Sequence, residues 1–491
     1  MKTLSGLALV TVLVGGCAST SPEQKIIDDA AAALGGVERI ASLKTLTIQG
    51  TGAAPLTGQN RMPDDELPVW KAKAYTRSID LANGRTRVDQ VREAAFLFAG
   101  ETVQHQSQGV DGSVAYNVSP NGAMTRAGEA AVHDRRLELL QHPLTIVRAA
   151  LDKNAKLEHA RTEGPDRVVD VTTATGERVT LAVDAATDLP SRVIAMADNA
   201  NLGDVKLVTA FDDYEDVNGL KLPRHISTNI DKYLQFDLQV SKQAVDAPVP
   251  DLSATAQVKT ASAPAPPPVV VTAERVGKGI WWLAGSGNHR SVVFEFADHL
   301  VLYEVPLNEA RSKAVIDKAR TLSSKPLTTA IVSHHHFDHS GGLRVAVAEG
   351  LTIVTQRSNQ LFFTDLLARA HTIVPDALQK NPKPATFQFV DDSLTLKDPT
   401  PGGMEVQLYH LLDNPREGTN LFAYVPRDRM LVQADLYDST WNQHPWGQNV
   451  IANLEQRHLK VDRDVPVHGA VEPFDQMVKT IKAHPPLTAT N

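Results

Sequence analysis

Cysteine is almost missing: Cys17 is the one cysteine in 491 residues. That excludes an intrachain disulfide framework. Aromatic residues are scarce, at 5%. No block of like charge stands out. A formal net charge of −8 and a pI near 6.1 leave no basic footprint for nucleic acid. The apolar run at 4–14 falls short of the roughly 20 residues a membrane-spanning helix needs. What remains is globular composition, 42% apolar and 22% charged, in a chain long enough for two or three domains.

Lys2, the short apolar run and "VGGC" ending at Cys17 read as a targeting segment. The stretch resembles the lipobox of bacterial lipoproteins. The resemblance implies removal of a signal peptide, acylation of Cys17 and a lipid anchor in the bacterial envelope, facing the periplasm and held to the outer membrane. An ordinary secretory peptide with an accidental cysteine is the alternative. On either reading the first 16 residues stand outside the fold, and residues 1–17 are set apart from the rest.

"SAPAPPP" at 262–268, preceded by small and polar residues from 254, predicts an extended linker over 251–268. It divides a domain at 22–250 from one at 269–491. In the first domain, Ile26, Ile27, Ala30, Leu34 and Val37 recur at helical spacing, with Gly35-Gly36 as the stop. Runs such as "KTLTIQG", "AYTRSIDL", "TRVDQV", "RVVDVTT", "RVTLAVD" and "VKLVTAFDDY" alternate with the period of strands. "ANGR" and "ATGE" supply hairpin turns, and a second helix is expected over 134–151. The pattern predicts a mainly antiparallel sheet curved around a helix. "AAALGGVERIASLKTLTIQGTG" and "FDDYEDVNGLKLPRHIS" resemble LolA-like lipoprotein carriers. That resemblance implies a half-barrel that binds lipid or lipoprotein; an accessory sheet domain without ligand is the other reading.

In the second domain "SVVFEF" and "HLVLYEV" form a hairpin. Residues 309–322 make an amphipathic helix with Ala310, Ala314, Val315, Ala319 and Leu322 on one face. "LTTAIV" is a buried strand running into "SHHHFDHSGG". Strands "TIVTQ", "MEVQLYHL", "TNLFAYVP" and "RMLVQADL" follow, with helices near 358–370, 449–459 and 475–482. Consecutive hairpins argue against a doubly wound parallel sheet. Two sheets with helices outside them fit better, so the whole chain is expected to be α+β.

The stretch at 333–342 places four histidines and an aspartate in six residues, out of 17 histidines in all. His334 and His336, two apart in extended chain, point to one side. Asp338 and His339 follow, and Gly341-Gly342 make a tight turn. One loop can thus serve two neighbouring metals through imidazole and carboxylate, ligands that suit zinc and also iron or manganese. The H-x-H-x-D-H pattern resembles the metallo-β-lactamase superfamily of metallohydrolases, which implies an αββα sandwich over 269–491. The same resemblance implies that Asp435, ending an apolar strand, bridges the metals and that His468 in "VPVHG" is a ligand. It also implies a third histidine for the site of His334 and His336. At the matching place in "DNPREGTN" stands Arg416, which has no lone pair to offer.

Three outcomes stay open. One metal binds at Asp338, His339, Asp435 and His468 while Arg416 supplies a fixed charge for an oxyanion or carboxylate. Or His410 or Glu417 replaces the lost ligand. Or the site is a relic. His335 is expected to face away. Trp281, Trp282 and His289 border the mouth of the site or pack in the core, and Trp441, His444 and Trp446 are candidates for a pocket wall.

The resemblance implies a zinc-dependent hydrolase that turns a metal-bound hydroxide on a carbonyl-type or ester-type small molecule. Asp338, Asp435 and Arg416 are then the catalytic candidates, with Asp435 placed to receive the proton. The alternative is an envelope protein that binds metal, lipid or lipoprotein without catalysis.

Overall fold

The computed structural model describes residues 20–98, 102–441 and 443–484. Cys17 and the targeting segment lie outside the described residues. Among the described residues no helix is long and apolar enough to cross a membrane.

Helix Pro22–Leu34 opens on Ser21, whose side chain accepts from Gln24 N, and carries proline in its first turn. Its buried stripe is Ile26, Ile27, Ala30, Ala31 and Leu34. The helix stops at Gly35, where φ is 131° and a Cβ would lie 2.6 Å from Gly219 O. Thirteen strands then form one sheet with neighbours paired antiparallel. Strand Thr45–Pro55 pairs both with the next strand, Val69–Asp80, and with the last, Tyr233–Val245. Leu46, Ile48, Leu181 and Val240 of the sheet share one apolar cluster with Leu34, Leu144, Ile146 and Val147 of the helices. Side chains of this kind stabilise by roughly 1.5–3 kcal/mol each when fully buried. The antiparallel sheet packed against helices is therefore present.

The helix expected over 134–151 is two helices, Ala130–Leu139 and Pro143–Ala150. Pro143 cannot donate to the preceding turn and holds His142 extended. The His142 ring nitrogen Nδ1 instead caps the new helix by accepting from Leu144 N at 3.3 Å. A cavity of about 570 Å³ separates the first of these helices from the sheet, lined by Ile48, Tyr75, Phe236, Leu238, Arg77 and Glu138 among others.

The segment 251–268 is only partly a free connection. Ala254 and Val258 are buried against Val114 and Tyr116. Tyr116 OH donates to Leu252 O at 2.8 Å, and Lys259 pairs with Asp111 at 2.8 Å. Short helix Ala256–Thr260 is thus docked on the first domain, and residues 261–270 are the mostly exposed irregular stretch.

The second domain is a four-layer sandwich. One sheet of seven strands runs from Val271–Gly277 to Thr386–Val390, and one of six from Ser393–Lys397 to Glu472–Pro473. Their facing sides interlock through Val292, Phe294, Val301, Ile331, Val406, Leu421, Val432 and Val465. Helix Glu309–Arg320 covers the outer face of the first sheet through Val315, Ile316 and Ala319. Helices Gly447–Gln456 and Phe474–Ala483 cover the second through Val450, Leu454, Met477 and Ile481. This is the αββα arrangement. On helix Glu309–Arg320 the buried face is rotated from the expected one: Ala310 is exposed and Arg311 is buried. Arg311 turns inward because it donates to Val270 O and His289 O, both at 2.9 Å.

Candidate metal centre

Four strands deliver the site from their carboxyl ends. Strand Leu300–Tyr303 runs parallel to Leu327–Ile331 in register Tyr303↔Ile331. The residues just beyond them, Glu304 and Ser333 to His336, therefore emerge together. In the other sheet Met430–Gln433 runs parallel to Arg463–Pro466 in register Gln433↔Pro466. Two residues past each lie Asp435 and His468, side by side. Asp435 has φ 61° and Glu304 φ 79°, backbone conformations rare for side-chain-bearing residues and concentrated at working sites. The glycines after the motif have no room for a methyl group. A Cβ on Gly341 would sit 2.1 Å from Leu307 O, and one on Gly342 1.9 Å from Ser312 Oγ.

Two groups of candidate ligands result: His334, His336, Glu417 and Asp435; and Asp338, His339, Asp435 and His468. Asp435 belongs to both. Its Oδ1 lies 3.0 Å from His339 Nε2 and 2.9 Å from His468 Nε2, and its Oδ2 lies 3.8 Å from His334 Nε2. Glu417 joins His334 and His336, with Oε1 2.7 Å from His336 Nδ1 and Oε2 3.7 Å from His334 Nε2. His410 takes no part; its Nε2 donates to Gly418 O at 2.9 Å. The turn at Asn414 sets this position: its Oδ1 accepts from Arg416 N (2.8 Å) and Glu417 N (2.9 Å), which tucks Glu417 inward.

Each histidine is fixed through its far nitrogen. His336 Nε2 donates to Asn60 O (2.8 Å), His339 Nδ1 to Glu304 Oε2 (2.9 Å) and His468 Nδ1 to Asn288 O (2.6 Å). His334 Nδ1 pairs with Ser333 Oγ at 2.8 Å. Carbonyl and carboxylate oxygens only accept, so these contacts keep a hydrogen on the far nitrogens of His336, His339 and His468 and reserve their near nitrogens for a cation, while the Ser333 hydroxyl can serve either tautomer of His334. His334 Nε2 and both Glu417 oxygens are buried without a hydrogen-bond partner; the 2.7 Å approach of His336 Nδ1 lacks hydrogen-bond angles. Orphaned polar atoms at this depth cost free energy unless something satisfies them, and a divalent cation fits that donor set.

The electrostatics differ between the two groups. Burial lowers His339 and His468, but Asp435 outweighs it, raising His339 well above the usual imidazole range and His468 above it, so without a cation these two hold a second proton that a metal would displace. Burial, joined by His339 and His336, keeps His334 well below the usual imidazole range, so it stays neutral. Burial also pushes the Glu417 carboxyl well above its ordinary range, with Arg416 acting the other way. For Asp435 burial opposes ionisation, but His339 and His468 hold it well below the carboxylate range.

Arg416 is buried over this cluster. Its Nη2 donates to Gln59 Oε1 (2.7 Å) and Asp435 Oδ2 (3.1 Å), and its guanidinium lies 3.6 Å from the Phe98 ring centroid. His335 faces away, toward Thr419 Oγ1 and Asn60 Oδ1. His289 borders the site, with Nε2 3.7 Å from Asp338 Oδ2, while Trp282 is core and donates to Pro466 O at 2.8 Å. Trp281 packs partly buried on the helix side of the first sheet. His444 is buried against Tyr437, at 4.7 Å between ring centroids, and Trp446 is buried too. Trp441 is half-buried.

Sequence reasoning missed Glu304, Asn288, Gln59 and Asn60. Glu304 left a signal, as the lone acid ending an apolar strand. Gln59 and Asn60 left none.

No family model and no curated protein matches the sequence. Similar solved structures include metallo-β-lactamases. One from Pontibacter korlensis is 17% identical over 43% of this chain and 98% of that one, at a TM-score of 0.32. FIM-1 from Pseudomonas aeruginosa, in its mono-zinc form, is 17% identical over 44% and 96%, at 0.34. One from Hirschia baltica is 15% identical over 44% and 99%, at 0.34. The fold assignment rests on strand order and helix placement, and the chemistry on the site itself.

Proposed function

We propose that the chain is a metal-dependent hydrolase acting on a carbonyl-type or ester-type small molecule. The observation that carries this is the convergence of two four-residue groups on the shared Asp435, with lone pairs and buried carboxylate oxygens turned inward. A divalent cation, zinc in the first instance, supplies a Lewis acid there and lowers the pKa of water toward about 7. Arg416 places a permanent positive charge at the edge of the cluster, where it stabilises an oxyanion developing on substrate. Asp338 is the member of the two groups that is not fully buried. It lies at the mouth of the site with His289 beside it, whose Nε2 is 3.7 Å from Asp338 Oδ2.

The test is elemental analysis of purified protein together with an ester, thioester and lactam screen. About two metals per chain are expected, with hydrolysis lost to a chelator and regained on adding zinc. A protein that takes up no metal sinks the reading. The second reading, a non-catalytic carrier of lipid or lipoprotein, has the 570 Å³ cavity of the first domain in its favour. It predicts lipid extracted with the protein and turnover indifferent to the chelator.

The "VGGC" motif supports an envelope anchor at Cys17. Cys17→Ser should move the protein from the membrane pellet to the soluble fraction. A variant that still pellets carries its anchor elsewhere.

A further inference from the structure

The second domain does not build its metal centre alone. The connection 56–68, between first-domain strands Thr45–Pro55 and Val69–Asp80, lies directly on it. The fit has no slack. Gly58 has φ +72°, and a Cβ there would lie 2.5 Å from the Phe337 ring; one on Gly418 would lie 2.3 Å from Met62 Sδ. Gly418 N also donates to Arg61 O at 2.9 Å.

At the tip, Gln59 reaches between two groups of the centre. Its Nε2 donates to Asp338 Oδ1 at 2.8 Å, and its Oε1 accepts from Arg416 Nη2 at 2.7 Å. The other oxygen of Asp338 is the one turned toward the ligand cluster, 3.3 Å from His339 Nε2 and 3.8 Å from His468 Nε2. A carboxylate held by one oxygen presents the other in a fixed direction. A neutral amide suits the place because it is a donor at one end and an acceptor at the other. A carboxylate would repel Asp338, and an ammonium would repel Arg416. The next residue acts on a second ligand, since Asn60 O keeps the hydrogen of His336 on Nε2.

We propose that Gln59 is a positioning residue of the metal centre, through which the first domain sets the metal affinity of the second. This rests on the metal reading above. Groups that orient ligands from outside typically change metal affinity by about 10- to 100-fold.

The test uses full-length protein and measures zinc affinity by competition with a chromophoric chelator, alongside melting of the metal-free forms. Gln59→Met keeps the length of the side chain and removes both polar ends. It should weaken zinc binding about tenfold or more while melting with the wild type. In an Asp338→Asn background, the same change should have little further effect, because the carboxylate that Gln59 orients is gone. Equal zinc affinity for wild type and Gln59→Met overturns the inference. So does an undiminished Gln59→Met effect in the Asp338→Asn background, a result that stays decisive even if Gln59→Met lowers the melting temperature. Wild-type protein that binds no zinc sinks the metal reading itself, a separable outcome.

Discussion

Asp435→Asn is expected to empty both halves of the metal centre at once. Asp435 is the one residue common to the two groups, offering Oδ1 to His339 and His468 and Oδ2 to the side of His334. Asparagine is the informative replacement because the backbone there has φ 61°, a conformation asparagine adopts readily and alanine adopts at a cost of about 1–2 kcal/mol. The fold should survive while the bridging charge disappears. Elemental analysis after dialysis should fall from about two metals per chain to a trace. Hydrolysis should drop by roughly three orders of magnitude or more, since Lewis-acid stabilisation is worth several kcal/mol and each 1.36 kcal/mol is tenfold in rate. Two metals retained in the variant would show that the carboxylate does not bridge.

Glu417→Gln should lower the tight metal count from two to one, while Arg416→Gln leaves it at two. These neighbours have opposite fates in the site. Glu417 is fully buried with both oxygens unpartnered, against the near nitrogens of His334 and His336. Arg416 contacts Asp435 and Gln59 but brings no lone pair. At an effective dielectric near 20, unit charges 4 Å apart interact by about 4 kcal/mol, so losing a carboxylate weakens a dication site, whereas losing a cation beside it removes a repulsion. Elemental counts and zinc titration of the two variants decide the matter. Loss of metal from Arg416→Gln with retention in Glu417→Gln would reverse the assignment.

Much of this centre is legible in the sequence, for reasons that are local. His334 and His336 share a side because an extended chain repeats every two residues. The apolar strand before them fixes where the loop begins. Asp435 and His468 each follow an apolar strand, and the parallel register that brings them together belongs to the layered fold. Glu417 shares one of three open outcomes with His410, because the Asn414 turn that tucks it inward and leaves Arg416 above is set by two hydrogen bonds that no spacing announces. The break at Pro143 was readable from proline chemistry and was overridden by an apolar pattern that continues across it. Asn60 lies 276 residues from His336 and Gln59 279 from Asp338, and nothing in a one-dimensional pattern ties them to the site.

The pairing of strand Thr45–Pro55 with strand Tyr233–Val245, in register Leu46↔Val245, sets a sequence of events in time. The opening strand, made early in synthesis, must wait for about 190 further residues before its second neighbour exists. Contacts of such long range slow folding, because loop-closure entropy is lost before the contact forms. The 56–68 connection joins two strands adjacent in sequence but docks on Phe337, Asp338 and Gly418, so its tip finds its place only once the second domain exists. Newly made protein should therefore gain its full metal affinity late, after both domains are made.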